Sequence, residues 1–419
     1  MRGEPLGFLS AVLALSVAAC VDRTDAEGSA DPSETDASGT EGPSTTGAVD
    51  DGSESSSGSP ELPDDGLWPY GFRYVQVPGV QAHWLEFADF DGDGITDILA
   101  NGPDGITVHA GDGLGAFEEV SSAAIESHDF ARVGDFDGDG DIDALAFADY
   151  SGETSRLLVN DGQGALTRGV VRTGGFLDFG VVTAHLDDDS VHDVFTPSGP
   201  GGMVAYSQGD GTFAMGPDVM APSCFFSELG VGDFDGDGLD DVAGTGGCNS
   251  PPDFLPLIIY RHLEAGFGHA QGIRAELGPA MEGGDVRVRD IDHDGDLDIM
   301  TLTHLGVYVV HNLGDGTFAD PPLVVPHTYD EFIQTLIPLE LAPDGAPAFL
   351  VDSERYDNSL SALVLPAPDL ATSTTEVVDL YGRIVGTADL DGDDAPDVAV
   401  LVGDPTVATG TLGVWLSGG

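Results

Sequence analysis

The sequence predicts an all-β chain folded as a ring of seven four-stranded sheets, and three observations carry that prediction. An acidic nonapeptide recurs at the spacing of one small sheet, short apolar runs flank each copy, and the two ends of the repeating region stand in complementary phase. Five copies are well formed: "DFDGDGITD" (89–97), "DFDGDGDID" (135–143), "DFDGDGLDD" (233–241), "DIDHDGDLD" (290–298) and "DLDGDDAPD" (389–397). Two are eroded, "HLDDDSVHD" (185–193) and "ELAPDGAPA" (340–348). The first positions, Asp89, Asp135, His185, Asp233, Asp290, Glu340 and Asp389, lie 46 to 57 residues apart.

The runs before each copy ("HWLEFA", "FARVG", "SELGVG", "VRVR") mostly alternate in period two, and those after it ("ILA", "ALAF", "DVAG", "IMTL") are short and apolar. Both are strand signals punctuated by Gly and Asp. A second marker follows most copies: "GDGLGAF" (111–117), "NDGQGAL" (160–166), "GDGTF" (209–213) and "LGDGTF" (313–318). A unit of this length with about four short strands is the size of a propeller blade, so seven units predict seven blades. Phe72 stands in the phase of the "GTF" phenylalanines, while the C-terminal "GVWLSGG" stops just short of that phase. The last blade is therefore expected to borrow its outer strand from residues around Phe72–Val77, which leaves no open sheet edge at the seam.

Aspartate at positions 1, 3, 5 and 9, with Gly usually at 6, is the pattern a calcium ion requires: hard oxygen ligands converging on one point through a tight bend. An EF-hand would need Glu at position 12 and helical flanks; here position 12 is Ala100, Ala146, Gly244, Thr301 or Val400, and the flanks read as strand. The nonapeptide in this strand context, recurring with the "GDGTF" marker over residues 67–419, resembles the FG-GAP/VCBS repeat family, which includes the seven-bladed propeller of integrin α subunits.

The resemblance implies a β-propeller with Ca²⁺ in strand-connecting loops. Carried onto this chain, the side-chain ligands would be Asp89, Asp91, Asp93 and Asp97; Asp135, Asp137, Asp139 and Asp143; Asp233, Asp235, Asp237 and Asp241; Asp290, Asp292, Asp294 and Asp298; and Asp389, Asp391, Asp393 and Asp397. Backbone carbonyls of Ile95, Asp141, Leu239, Asp296 and Ala395 would complete the shells. In the third loop His185 and Ser190 break the pattern, and Asp187, Asp189 and Asp193 could form a weaker sixth site. The sixth loop keeps Glu340, Asp344 and Gly345 and is expected to be empty. The bland alternative, a solvated acidic surface, does not account for 1-3-5-9 spacing in five places.

Composition narrows the partners. There are 74 acidic and 13 basic residues, a formal net charge of −61, and every basic residue is Arg. Nucleic-acid binding is excluded, because that affinity comes from cations neutralising phosphates. Residues 1–19 read as a lipoprotein signal peptide: Arg2, a 14-residue apolar stretch Leu6–Ala19, and a terminal "VAAC". Cys20 would then be the lipidated first residue of the exported protein, anchored at the outer membrane or cell surface. Residues 20–66, rich in Ser, Gly, Pro and acids, cannot bury enough apolar surface to order themselves and read as a disordered tether.

Cys224 and Cys248 flank the 233–241 loop symmetrically and, in an oxidising compartment, are expected to form a disulfide. No HExxH or GxSxG motif occurs, and the carboxylate pairs are accounted for by calcium, so no enzyme is expected. His185 and His192, which bracket the eroded third loop, read as part of a degenerate calcium loop rather than a zinc site. The function expected is a lipid-anchored binding or adhesion module for a protein or glycan. A calcium-rigidified structural component of the envelope is the alternative, and a polysaccharide-active enzyme a more distant one.

Overall fold

The computed structural model describes residues 67–102, 105–125, 130–148, 154–173, 180–197, 201–220, 224–248, 257–263, 266–273, 285–303, 306–326, 335–341, 346–352, 361–366, 370, 372–380, 382–393, 395–402 and 410–417. The chain divides into two units, 1–59 and 60–419, and all of these residues belong to the second. The expected signal peptide, Cys20 and tether lie outside the described residues, as do Asp344 and Gly345 of the sixth loop.

The described strands form seven antiparallel four-stranded sheets. Blade 1 is Trp84–Ala88, Asp97–Gly102, Gly105–Gly111 and Phe117–Ala123. Blades 2 to 6 follow within 130–173, 182–220, 224–273, 286–326 and 335–378. Burial follows the order of strands. In blade 1 the second strand "DILANG" is buried at every position but its last glycine, whereas the fourth, "FEEVSSA", is mostly exposed. The first strands of successive blades touch one another all the way round, including blade 7 to blade 1, so the first strand of each sheet lines the centre and the ring is closed.

The apolar core sits between blades rather than within them. Phe90, Leu99, Val108, Ala131, Ala144 and Leu158 join blades 1 and 2, Phe136, Leu145, Val194 and Ala205 join 2 and 3, and comparable clusters fill the other five seams. Several of the scarce arginines tie the same seams near the centre. Arg132 donates from Nε to Val181 O (2.6 Å) and pairs with Glu86 (3.0 Å), Arg287 Nε donates to Leu336 O (2.8 Å), and Arg383 Nη2 donates to His83 O (2.9 Å).

Blade 7 is closed as the phase of the chain ends predicts. Its own strands, Arg383–Ala388, Asp397–Val402 and Gly410–Leu416, are completed by Arg73–Ala82 from the start of the domain. The register runs from Arg73↔Leu416 through Gln76↔Gly413 and, after an irregularity, to Ala82↔Gly410. Trp415 is fully buried, packs edge-on against Tyr74 at 5.2 Å and donates its indole N–H to Leu380 O at 3.0 Å. In blade 4, Cys224 and Cys248 stand directly opposite at the open end of the first hairpin. In blade 6 the first two strands keep pairing through Glu340↔Pro347 and Leu341↔Ala346, where other blades open into an acidic loop.

Two measurements test this construction. Tyr74→Ala removes the aromatic contact that fastens the seam and is expected to destabilise the domain by roughly 3 kcal/mol, read from the denaturant midpoint. Unreduced, denatured protein is expected to show no titratable thiol at Cys224 or Cys248; two free thiols would refute the disulfide.

Candidate metal centres

Each acidic loop joins the first and second strands of a blade, and local physics assigns its positions alternating tasks. Position 2 turns inward as an apolar plug: Phe90, Phe136, Leu186, Phe234, Ile291 and Leu390 are all buried. The neighbouring odd positions therefore face the other way, toward one another. Position 1 spans the bend: Asp89 accepts from Gly92 N through Oδ1 (2.7 Å) and from Gly94 N through Oδ2 (2.9 Å), a pattern repeated by Asp135 and Asp233. Gly92 and Gly94 both have positive φ (77° and 85°), which glycine adopts without strain. In the fifth loop His293 takes the position-4 conformation at φ 60°. Position 5 caps the next turn, as when Asp93 Oδ1 accepts from Ile95 N at 2.8 Å.

Position 9 does something the sequence spacing does not announce. Asp97, Asp143, Asp193, Asp241, Asp298 and Asp397 are at most 1% exposed. One oxygen of each accepts from the position-2 backbone N–H, from Phe90 N at 2.8 Å through Ile291 N at 3.2 Å. In five of them the other accepts from the end of the third strand or just beyond it: Gly111 N (2.8 Å), Asn160 N (2.9 Å), Ser207 N (2.8 Å), Asn312 N (2.8 Å) and Ser417 N (2.6 Å). These are charge-assisted staples as well as candidate ligands, since each carboxylate oxygen keeps a second lone pair.

The third-to-fourth-strand loop of the next blade then clamps the acidic loop from the side. Phe90 O accepts from Asn160 Nδ2 (2.7 Å) and Gly164 N (3.0 Å), Phe136 O from Ser207 Oγ (2.8 Å) and Gly211 N (3.2 Å), and Phe234 O from Asn312 Nδ2 (2.7 Å). The "GDG" marker of one blade thus fixes the acidic loop of the blade before it.

The carboxylates converge as a cation site requires. Donor oxygens of positions 1, 3 and 9 lie within 4.8 Å of one another in Asp89–Asp91–Asp97, Asp135–Asp137–Asp143 and Asp233–Asp235–Asp241, and Asp290, Asp292 and Asp294 converge similarly. Asp137 Oδ1 and Asp235 Oδ1 inside these groups, and Asp391 Oδ1 in the seventh loop, are buried with no hydrogen-bond partner among the described residues. A buried acceptor without a donor is costly, and an all-oxygen donor set around it suits a hard cation. Desolvation pushes Asp143, Asp193, Asp241 and Asp397 up to about 7, and raises Asp97 and Asp298 as well.

The third and fourth loops depart from the common plan in what ties them. In the fourth, Arg261 lies one step past the Val242↔Tyr260 pair, beside position 9. It sets Nη1 3.2 Å from Asp235 Oδ2 and also donates to Asp315 O at 3.0 Å. This loop, expected from its aspartates to match the others, carries its own cation. In the third, the rings of His185 and His192 meet at 4.1 Å, tilted by 46°, and each residue ties a neighbouring loop. His192 Nδ1 accepts from Asp135 N (3.1 Å), and Asp240 Oδ2 accepts from His185 N (2.8 Å). The remaining candidates, Asp139, Asp187, Asp189, Asp237, Asp389 and Asp393, sit in their loops as spaced, with Asp187, Asp189, Asp237 and Asp393 each accepting a backbone N–H within the loop.

The raised pKa values fix a sign. A carboxyl whose pKa is higher folded than unfolded contributes stability that is fully present below the unfolded value of about 4 and lost as pH climbs toward 7. In EDTA the melting temperature is expected to fall across that window, and calcium to cancel the fall. Asp137→Asn, which removes one crowded charge, is expected to leave stability in EDTA unchanged or higher and to lower it in calcium. Scanning calorimetry of both proteins checks the crossing.

Residues 89–146 match the FG-GAP-like repeat family model. No curated protein matches the chain at a significant level. Among solved structures, an Agrocybe aegerita lectin that recognises non-reducing terminal N-acetylglucosamine superposes with a TM-score of 0.52 at 18% identity, covering 73% of this chain and 81% of that one. BBS1N, solved in complex with ARL6DN, gives a TM-score of 0.49 at 10% identity, covering 83% of this chain and 97% of that one. Residues 89–146 thus carry an FG-GAP-like repeat within a chain that folds as a seven-bladed β-propeller.

Proposed function

We propose that the protein is a calcium-loaded propeller of the cell envelope, lipid-anchored through Cys20, that works as a non-catalytic binding module for a glycan or protein. The observation that carries the reading is one carboxylate cage repeated at the same corner of several blades of one closed ring, with buried inner oxygens awaiting a partner. The ion supplies neutralising charge; the chain supplies the oxygens of positions 1, 3, 5 and 9 and the position-7 carbonyls. In an antiparallel four-stranded blade these loops share one face of the ring with the "GDG" loops that clamp them. A loop face stiffened at each corner presents its remaining side chains with little ordering cost, which favours binding.

Fold similarity to a lectin makes terminal N-acetylglucosamine one of the first glycans to try. The test is binding of the full-length protein to a panel of bacterial and matrix polysaccharides, in calcium and in EDTA. Saturable binding that EDTA abolishes is the expected result; absence of any glycan ligand would move the search to protein partners by cross-linking in the envelope. Calcium itself is tested by melting. A cation held at a hundred times its dissociation constant adds about 2.7 kcal/mol per independent site, and identical curves in calcium and EDTA would remove calcium from the account.

A further inference from the structure

The fifth acidic loop differs from the others in what faces it. Pairing of Asp298–Thr303 with Gly306–Val310 sets Ile299 opposite Val310, so the next residues outward, Asp298 and His311, meet at the mouth of the loop. The equivalent positions in blades 1, 2 and 7 are Ala110, Val159 and Leu416, which offer no donor atom. His311 Nδ1 lies 3.3 Å from Asp292 Oδ2 and 3.4 Å from Asp298 Oδ2. These three donor atoms all fall within 4.8 Å of one another.

The imidazole Nδ1 is buried and, although it stands within ion-pair range of both carboxylates, makes no well-aligned hydrogen bond among the described residues. Its separations from the two carboxylate oxygens exceed the usual N–H···O range of about 2.7–3.2 Å. They match the edge of about 3.3 Å of a tetrahedron built on metal–ligand bonds of about 2.0–2.1 Å. Calcium takes oxygen donors, whereas imidazole with carboxylate suits zinc and its neighbours. Asp298 is already oriented as a ligand: it is 1% exposed, and its oxygens accept from Ile291 N and Asn312 N. Asp292, with its side chain 45% exposed, leaves the group open to entry from solvent.

We propose that Asp292, Asp298 and His311 form a mixed nitrogen–oxygen site that takes a zinc-class divalent ion in preference to calcium. Three protein donors leave the fourth position to water or to a donor atom of a bound molecule, the arrangement of an open rather than a closed zinc site. Blade 4 supplies the internal contrast. There the corresponding residue is Arg261, whose guanidinium meets Asp235 with a fixed charge and has no lone pair to give. The two blades thus answer the same carboxylates differently, one with a built-in cation and one with a metal ligand.

Cobalt(II) is the probe, because a four-coordinate cobalt site shows a visible ligand-field band. Full-length protein held in millimolar calcium is titrated with cobalt, and zinc is then added in competition. The expected result is one cobalt per chain, bound despite the calcium and displaced by zinc. Loss of an outer-shell partner alone weakens metal binding about 10–100-fold, so His311→Asn, which removes a direct ligand, is expected to weaken cobalt binding by at least about a hundredfold. His311→Gln serves as a second variant, and matching melting curves of wild type and variant in EDTA establish that the fold is kept. Absence of the band in wild type, or equal cobalt affinity in wild type and variants, overturns the proposal. A wild type that binds cobalt through His311 but no calcium supports this site while removing calcium from the proposed function, so the two readings fail separately.

Discussion

A carboxylate buried between two backbone N–H groups is the constraint on which the blade corner depends. The position-9 aspartate holds the start of the acidic loop with one oxygen and, in most blades, the end of the third strand with the other. That double hold fixes where the loop leaves the sheet, which forces the position-2 side chain into the inter-blade core and the odd positions toward one another. It also places the position-2 carbonyl where the next blade can reach it. One acid therefore couples the hairpin, the core and the neighbouring blade. The backbone donors offset part of the cost of burying this group, while desolvation and the neighbouring carboxylates push its pKa up.

Charge is distributed to match. The thirteen arginines are too few to balance 74 acids, and several stand where a seam between blades must be tied or a loop met by a cation. Arg132, Arg287 and Arg383 reach backbone carbonyls across seams, and Arg261 reaches both its own acidic loop and the next blade. The loops themselves concentrate like charges at short range, where repulsion and desolvation both disfavour ionisation. A bound cation would relieve that repulsion.

Much of this was legible in the sequence because it is periodic. Seven blades, the borrowed strand at the seam and the 1-3-5-9 loops all follow from spacing along one stretch of chain. What was not legible depends on register between distant stretches. Arg261 follows its loop by twenty residues and His311 by thirteen, and nothing in "YRHLEAGF" or "VVHNLGDG" marks them as loop residues until pairing of the second and third strands places them beside position 9. His192 is similar: it reads as part of an eroded loop, yet its ring serves the loop before it. The usable signal is strand phase: a residue on the third strand that pairs opposite position 9 sits on the loop's side of the sheet, three residues before "GDG" for His311 and with no such marker after Arg261. Position 9 was read as a ligand alone because spacing cannot distinguish a ligand from a staple.

The seam has a consequence for how the molecule is made. Among the described strands, the one that completes the last sheet comes first in the chain and its partner last, more than three hundred residues later. Until Gly410–Leu416 exists, Arg73–Ala82 has no mate, and the growing series of blades has two raw ends. Contacts this remote in sequence carry a loop-closure cost that slows folding. A chain cut short anywhere upstream cannot counterfeit the finished ring. The ring therefore depends on both ends of the repeating region at once: neither Arg73–Ala82 nor Gly410–Leu416 is paired at that edge without the other.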